Sequence, residues 1–313
     1  MSTPAIRIEP LTETDLPAAT EVVRLAFATW MGAAEPGEFW NDRDYVRSRF
    51  AAPHTAWFKA LDAGRLVGAV CVTCWGRHGI LGPLAVHPDY WDAKVAKALM
   101  GAAVEQLDAW QLVHAGLFTF PDSPRHLGLY QGFDFWPRTL TAVMARPVQT
   151  QPAPPALRFS LAATPDRLLA ACAELGRANA PGLDVSAEMA AVREQGLGES
   201  LVLEDEAGRM ESFAVCHFGP HSEAGSGVCY VKCAAVLPGA GAEARFARLI
   251  AACEGLARDH GQQRLLAGVN TARRGAYQWL LAQDFRSEIL GITLHRGEAH
   301  YDHPEVWLLD DWR

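Results

Sequence analysis

Gly79 to Met100 reads GILGPLAVHPDYWDAKVAKALM, and this stretch decides the fold. Ile80–Val86 is a short apolar run of the kind that fills a buried strand. His87-Pro88 ends it, because proline cannot continue a central strand. After a polar loop, Val95, Leu99, Ala103, Leu107 and Trp110 recur at three- or four-residue steps, which predicts a helix with one apolar face. A strand that runs through a loop into a helix leaves free backbone N–H groups and the positive end of a helix dipole facing the loop. That arrangement favours anions.

The same alternation extends outward. Ala5–Glu9 alternates like a strand. Thr12 is a suitable N-cap for a helix whose Leu16, Ala19, Val23 and Ala26 share a face. Ala56–Leu61 and Leu66–Cys74 are strand-like runs joined by the turn Asp62-Ala-Gly64. His114–Phe120 predicts a strand, Pro124–Phe133 a short helix, and Thr139–Ala145 a closing strand. A Pro-rich stretch follows, RPVQTQPAPPA from Arg146 to Ala156, unsuited to helix or central strand.

Beyond it the order repeats. Leu157–Ser160 reads as a strand, Thr164-Pro-Asp opens a helix, and Ser200–Glu204 with Met210–Phe218 forms a hairpin. Cys229–Val236 is a strand, Ala242–His260 a helix, Arg264–Val269 a strand, Ala272–Ala282 a helix and Gly291–His295 a strand. Two copies of one order predict an α/β protein of two tandem domains: 1–148, a linker 149–156, and 157–313.

The chain has 313 residues, half of them hydrophobic, enough for a core in each half. Its net charge of −8 disfavours nonspecific nucleic-acid binding and mildly favours cationic partners. No apolar run approaches the roughly 18–20 residues of a membrane span. The N-terminus has no basic segment followed by an apolar one, so no signal peptide is expected. The seven cysteines lie in apolar segments, as reduced thiols of a cytoplasmic protein would. Cys71 and Cys74 form a CxxC, but within a strand they face opposite ways, and no second pair completes a zinc site. No metal is expected. Phosphate-loop, dinucleotide, serine-hydrolase and zinc-protease motifs are absent from the sequence.

The segment Gly79–Met100 resembles motif A of the GNAT superfamily of N-acetyltransferases. In that family the strand leads into a loop of the form Q/R-x-x-G-x-G/A, which binds the pyrophosphate of coenzyme A. Here Trp91 stands at the Gln/Arg position, Lys94 at the first glycine and Ala96 at the second. Lys94 departs from the pattern, although a lysine suits a pyrophosphate better than Asp92 does. The resemblance implies that acetyl-CoA contacts Leu84, Ala85 and Val86 on the strand and Trp91, Asp92, Ala93, Lys94, Val95, Ala96 and Lys97 on the turn. It also implies that the pantetheine arm pairs with the strand edge, and that a backbone N–H near Val86 polarises the thioester carbonyl.

Leu117 to Phe135, LFTFPDSPRHLGLYQGFDF, resembles motif B of the same family. Thr119 falls at its Val, Ser123 at its Asn and Leu129-Tyr130 at its Leu-Tyr. The resemblance makes Tyr130 the catalytic acid, protonating the departing thiolate of coenzyme A. It adds Ser123 to the cofactor contacts and extends over residues 5–145.

The second half resembles the family with different losses. Its motif A strand is Lys232-Cys-Ala-Ala-Val-Leu-Pro238, but Ala244 and Phe246 occupy the glycine positions. Arg273 falls at the motif B Asn and Leu280 at the tyrosine, while Asn270 and Tyr277 keep the Asn-to-Tyr spacing one turn earlier. This half is expected to be a degenerate copy, a structural partner or a wall of the substrate pocket. The tail, YDHPEVWLLDDWR, is expected to pack across a domain surface through Trp307 and Trp312. His217, His221, Asp302-His303 and Asp310-Asp311 share no metal-ligand spacing.

The expected activity is acetyl transfer from acetyl-CoA to a primary amine, on a small molecule or a peptide, by direct attack. Among possible bases, His87 and His114 lie nearest, and neither is singled out. The competing expectation is a sensor or scaffold that binds acyl-CoA without turnover. The acceptor and the oligomeric state are not legible.

Overall fold

A computed structural model describes residues 6–297 and 301–313; Ala5 of the first strand reading lies outside them. The first half begins with β1 (Arg7–Pro10), α1 (Leu16–Trp30) and a one-turn α2 (Arg47–Phe50). β2 (Thr55–Asp62), β3 (Arg65–Trp75) and β4 (His78–Val86) follow, then α3 (Val95–Ala109), β5 (His114–Thr119), α4 (Pro124–Gln131) and β6 (Phe135–Pro147).

The second half has β7 (Leu157–Arg158), α5 (Pro165–Asn179), α6 (Ser186–Gln195), β8 (Gly198–Glu204), β9 (Met210–Gly219) and β10 (Gly225–Val236). It continues with α7 (Ala242–Asp259), β11 (Arg264–Asn270), α8 (Arg274–Ala282), β12 (Arg286–Arg296) and β13 (Leu308–Leu309).

The periodicities translate directly into packing. Leu16, Ala19, Val23 and Ala26 of α1 are all buried, under β2 and β3. Each such apolar side chain larger than alanine contributes roughly 1.5–3 kcal/mol when fully buried. Val95, Leu99, Ala103 and Leu107 of α3 pack on the other face of the same strands. At the entry to α1, the Thr12 N–H donates to the Asp15 carboxylate at 2.8 Å, one arm of a capping box. Cys71 is buried in β3 and Cys74 is partly exposed, so the two do not converge.

The strands form a single sheet in the order β1-β2-β3-β4-β5-β12-β6-β11-β10-β9-β8-β7. Most pairings are antiparallel; β4–β5 and β10–β11 are parallel. The closing strands are exchanged. β12 of the second half pairs with β5 of the first, and β6 of the first pairs with β11 of the second. The two exchanged strands also pair with each other, from Arg286↔Ala145 to Arg296↔Phe135. The halves are therefore one hydrogen-bonded sheet, which two runs of similar order in sequence do not foretell.

Three elements escaped the sequence reading. α6 has a weak apolar stripe, since its buried residues against β8, α5 and β9 include Glu188 beside Met189, Ala191 and Val192. α2 is too short to show a period. β13 lies in the tail, expected on a surface. Instead, the tail enters the sheet: Leu308 and Leu309 are fully buried and pair with Ala235 and Ala234 of β10.

Candidate functional site

β4 and β5 run parallel only at their start, from His78↔His114 to Ile80↔Gly116. Beyond Ile80 they diverge, and β4 keeps β3 as its sole sheet neighbour up to Val86. A register shift of β4 against β3 falls in the same span, around Gly82-Pro83. The splay opens a cleft of about 470 Å³. Its walls are the second half of β4, the loop and first turn of α3, one face of α4, and the C-terminal end of α1.

Ten of the sequence-derived residues line this cleft: Leu84, Ala85, Val86, Trp91, Asp92, Lys94, Val95, Ala96, Lys97 and Tyr130. Two do not. Ala93 packs against the hydrophobic core beneath the loop. Ser123 is buried, and its hydroxyl caps α4 by accepting from the His126 N–H. Its role at the helix end is structural, the usual use of serine there.

The loop into α3 keeps the backbone shape that glycine would supply. Asp92 and Lys94 sit at φ 68° and 62°, in the left-handed region. For side-chain-bearing residues each such position costs roughly 1–2 kcal/mol. Lys94 is the N-cap and offers no side-chain cap to the helix. The first turn of α3, whose residues line the cleft, therefore has no side-chain cap for its N–H groups.

The electrostatics of the loop are set by Arg125 on α4. Its guanidinium lies 3.1 Å from the Asp92 carboxylate and stacks over the Trp91 ring at 5.8 Å. Arg125 thereby neutralises Asp92, the loop acid that lines the cleft. Lys94 and Lys97 are left around it, so this end of the cleft suits an anion despite the net negative charge of the chain. Trp91 donates from Nε1 to the Val86 carbonyl at 2.8 Å. The end of β4 is thus already capped, and only the strand from Gly82 to Ala85 is left to pair with an incoming extended group.

Tyr130 projects from α4 into the core side of the cleft and is 7% exposed. Burial pushes its phenol up to about 12, only partly offset by the Thr119 side chain beside it. A phenol held at that value is protonated throughout the neutral range and can donate a proton to a strong base. His126 lies one turn earlier on the same helix face and also lines the cleft. Its imidazole packs on Trp30 of α1 at 4.6 Å, and burial, aided by Arg125, lowers its pKa. Sequence reasoning missed His126, because position i−4 from a helix tyrosine carries no signal without knowing the buried face.

Neither candidate base lies in the cleft. His87 accepts from the Asp89 N–H and faces Arg65. His114 is enclosed with His78, His295, Tyr301 and Trp312 between the halves. Burial, then the neighbouring His295 and His78, push it down to about 2, which keeps it neutral. Asp92 is the one Asp or Glu side chain among the described lining residues.

The second half contains the corresponding splay, filled by its own chain. β10 pairs in parallel with β11 only from Val228 to Val231. Where the strands part, β13 docks on Ala234 and Ala235, the positions that match Leu84 and Ala85. Trp307 accepts from the Val236 N–H and packs on Phe246, at the second glycine position. Arg273, fully buried, donates to the Leu308 carbonyl and pairs with Asp302 and Asp310. Leu280 is fully buried in the core. The segment ends in the first cleft, where Trp312 and Arg313 form part of the wall.

A further charged network ties the halves together. Arg49 pairs with Glu223, Lys232 bridges Glu223 and Glu188 at 2.7 and 2.9 Å, and Glu188 contacts His54 at 2.9 Å and Trp75 Nε1 at 3.1 Å. Burial alone would raise Glu188; the Lys232 ammonium and the imidazoles of His217 and His54 outweigh it and hold its carboxyl well below the usual range. The space inside the network is about 10 Å³, room for at most one water. Among the described residues no cluster of His, Cys, Asp and Glu could hold a metal, and no helix is long and apolar enough to cross a membrane.

Residues 20–135 match the model of the acetyltransferase (GNAT) family. No curated protein matches the chain by sequence. Among solved structures, a putative acetyltransferase from Pyrococcus horikoshii is similar at a TM-score of 0.68 and 12% identity, over 100% of this chain and 96% of its own. A GCN5-related N-acetyltransferase from Sphaerobacter thermophilus is similar at 0.61 and 15%, over 96% and 100%. A tandem GNAT protein from the clavulanic acid biosynthesis pathway is similar at 0.58 and 14%, over 94% and 100%. At such identities the likeness is one of fold.

Proposed function

We propose that this chain, whose residues 20–135 belong to the GNAT family and whose whole length has the tandem GNAT fold, is an acetyl-CoA-dependent N-acetyltransferase that works through its first half. The observation that carries the reading is the coincidence, in one cleft, of a helix N-terminus with three cations and a buried, protonated tyrosine.

The bound thioester supplies an activated acetyl group. The N–H groups of Val95, Ala96 and Lys97, with Lys94 and Arg125, would hold the pyrophosphate, and the dipole of α3 favours its charge. The free edge of β4 from Gly82 to Ala85 would align the pantetheine arm as an added strand. Leu84, Val86 and Leu129 exclude water along its path. A backbone N–H within the free Gly82–Ala85 span of β4, away from the pyrophosphate end, would be the donor for the thioester oxygen as negative charge grows there. Tyr130 holds the proton that the leaving sulfur needs. Its raised pKa suits it to give that proton only as the sulfur becomes basic. The neutral form of the amine would attack directly and release its proton to solvent, since Asp92, the one Asp or Glu side chain among the described lining residues, is paired with Arg125.

The test is thiol release from acetyl-CoA over a panel of amines, with isothermal titration of coenzyme A. Binding with no release on any amine would leave the sensor reading standing. Two binding sites per chain would contradict assignment to the first half, because the second splay is filled by β13.

A further inference from the structure

We propose that Trp312 forms the fixed wall of the acceptor end of the cleft, and that this end selects a primary amine on a flat apolar body, an arylalkylamine, over polycationic amines. The proposal rests on the N-acetyltransferase reading for which end receives the amine.

The cleft has two chemically different ends. The cationic end lies at Val86 and the first turn of α3. The other lies at Gly82, four residues back along β4, roughly 13 Å at the rise of a strand. There Arg49 donates to the Gly82 carbonyl at 2.8 Å and to the main-chain oxygen of Arg313 at 2.6 Å. The tail is thereby fixed to the strand that would carry the thioester.

Trp312 is held rigidly. It is 4% exposed and packs against Tyr301 at 4.9 Å and His114 at 5.3 Å. Gly116 of β5 makes the seat: a Cβ there would come within 2.1 Å of the indole. The residues before it are locked in the filled splay of the second half, through β13 and Arg273. The degenerate slot thus serves as the clamp for a wall of the working one.

Phe27, Phe39, Trp40 and Tyr45 line the same cleft, with Tyr45 beside Arg49. Trp40 stands 5.0 Å from Phe27, 5.1 Å from Phe39 and 4.7 Å from Tyr45, and Arg49 lies over the Tyr45 ring at 5.6 Å. The charges at this end are already paired, Arg49 with Glu223 and Arg313 with Asp311. A polycation entering here would lose its hydration and bring several positive charges beside the Arg49 and Arg313 guanidinium groups. An arylalkylamine carries one such charge rather than several, and its ring would stack on the aromatic lining.

The experiment uses the full chain with phenethylamine and spermidine as probes. Wild type is expected to acetylate phenethylamine with a kcat/KM at least about tenfold above that for spermidine. Trp312→Ala should raise KM for phenethylamine about tenfold, with acetyl-CoA affinity changed less than about twofold and Trp312→Phe restoring most of the loss. A preference for spermidine, or an unchanged KM in Trp312→Ala, overturns the proposal. Titration of phenethylamine into protein saturated with coenzyme A separates the two readings. If it binds, and Trp312→Ala weakens it, without turnover of any amine, the wall stands and the activity falls. If amines turn over but phenethylamine neither binds nor reacts, the activity stands and the wall falls.

Discussion

Arg49 of α2 and Glu223 of the loop before β10 meet in a two-pronged ion pair, Nε to Oε1 at 2.8 Å and Nη2 to Oε2 at 2.9 Å. Both side chains are almost wholly buried. The pair joins the halves and holds Gly82 beside the cleft. Arg49→Leu leaves Glu223 and Lys232 enclosed with altered balance, and the expected loss is about 3–5 kcal/mol. Arg49→Leu with Glu223→Leu should recover part of it. Urea denaturation checks both; a loss under about 1 kcal/mol for the single variant would show that the pair is not a fastening.

Tyr130→Phe removes one oxygen from a buried ring and should leave the fold intact. Turnover is expected to fall about 10²- to 10⁴-fold, with acetyl-CoA binding nearly unchanged. Because the phenol is pushed up to about 12, the rate of wild type should show no alkaline limb from this group below about pH 10. Equal turnover in the variant would remove Tyr130 from the mechanism.

Asp92 faces the site proposed for pyrophosphate, and Arg125 neutralises it. Both are substantially exposed, so the effects are modest and depend on salt. Asp92→Asn should tighten coenzyme A about two- to fivefold in low salt, and Arg125→Ala should weaken it by a similar or larger factor. Titration at two ionic strengths measures this. Weaker binding in Asp92→Asn would mean that the carboxylate positions the loop rather than opposing the ligand.

His114 and His295 are held neutral between the halves. Burial is the first cause for both; Arg138 and Arg273 add to it at His295, with Asp310 opposing. Their values fall to about 2 and about 3, against about 6.5 in the unfolded chain. The unfolded state therefore binds more protons as pH drops below 6.5. Stability is complete above that value and is lost as pH falls, at about 1.4 kcal/mol per pH unit for each histidine. From pH 7 to pH 5 the pair should cost about 4 kcal/mol. Replacing His114 by Phe should reduce the slope by about half. Urea midpoints at the two pH values provide the measurement, and a flat profile would contradict the burial of neutral imidazoles.

The exchange of β6 and β12 makes each half incomplete without the other. Thermal unfolding is expected as one transition seen alike by near- and far-UV circular dichroism. Residues 1–148 alone would carry β6 without its partners and leave the edge of β5 open, so they should aggregate or self-associate. A stable monomer of that fragment, by light scattering, would refute the dependence.

Local patterns made the element order legible. Valines and leucines at helix or strand spacing bury one face wherever the chain goes, so α1, α3, β3 and β4 follow from residues near in sequence. The strand–loop–helix at Gly79–Met100 located the cleft for the same reason, since a helix N-terminus is a property of the helix itself. Ser123 shows the limit. Its position in the motif pointed to the cofactor, whereas its hydroxyl satisfies the end of α4. Caps and ligand contacts use the same polar atoms, and only the direction of the side chain separates them.

Long-range contacts decided the rest. That β12 inserts beside β5, that β13 fills the splay of β10, and that Trp312 comes to rest on Gly116 join residues up to about two hundred positions apart. No period or spacing records such pairings, because many strand edges present equivalent N–H and C=O groups and the choice among them is made by the packing of the whole sheet. Ten of the residues that line the cleft were therefore open to reading along the chain. The wall proposed to choose its partner amine became visible only once the tail was seen crossing from one half to the other.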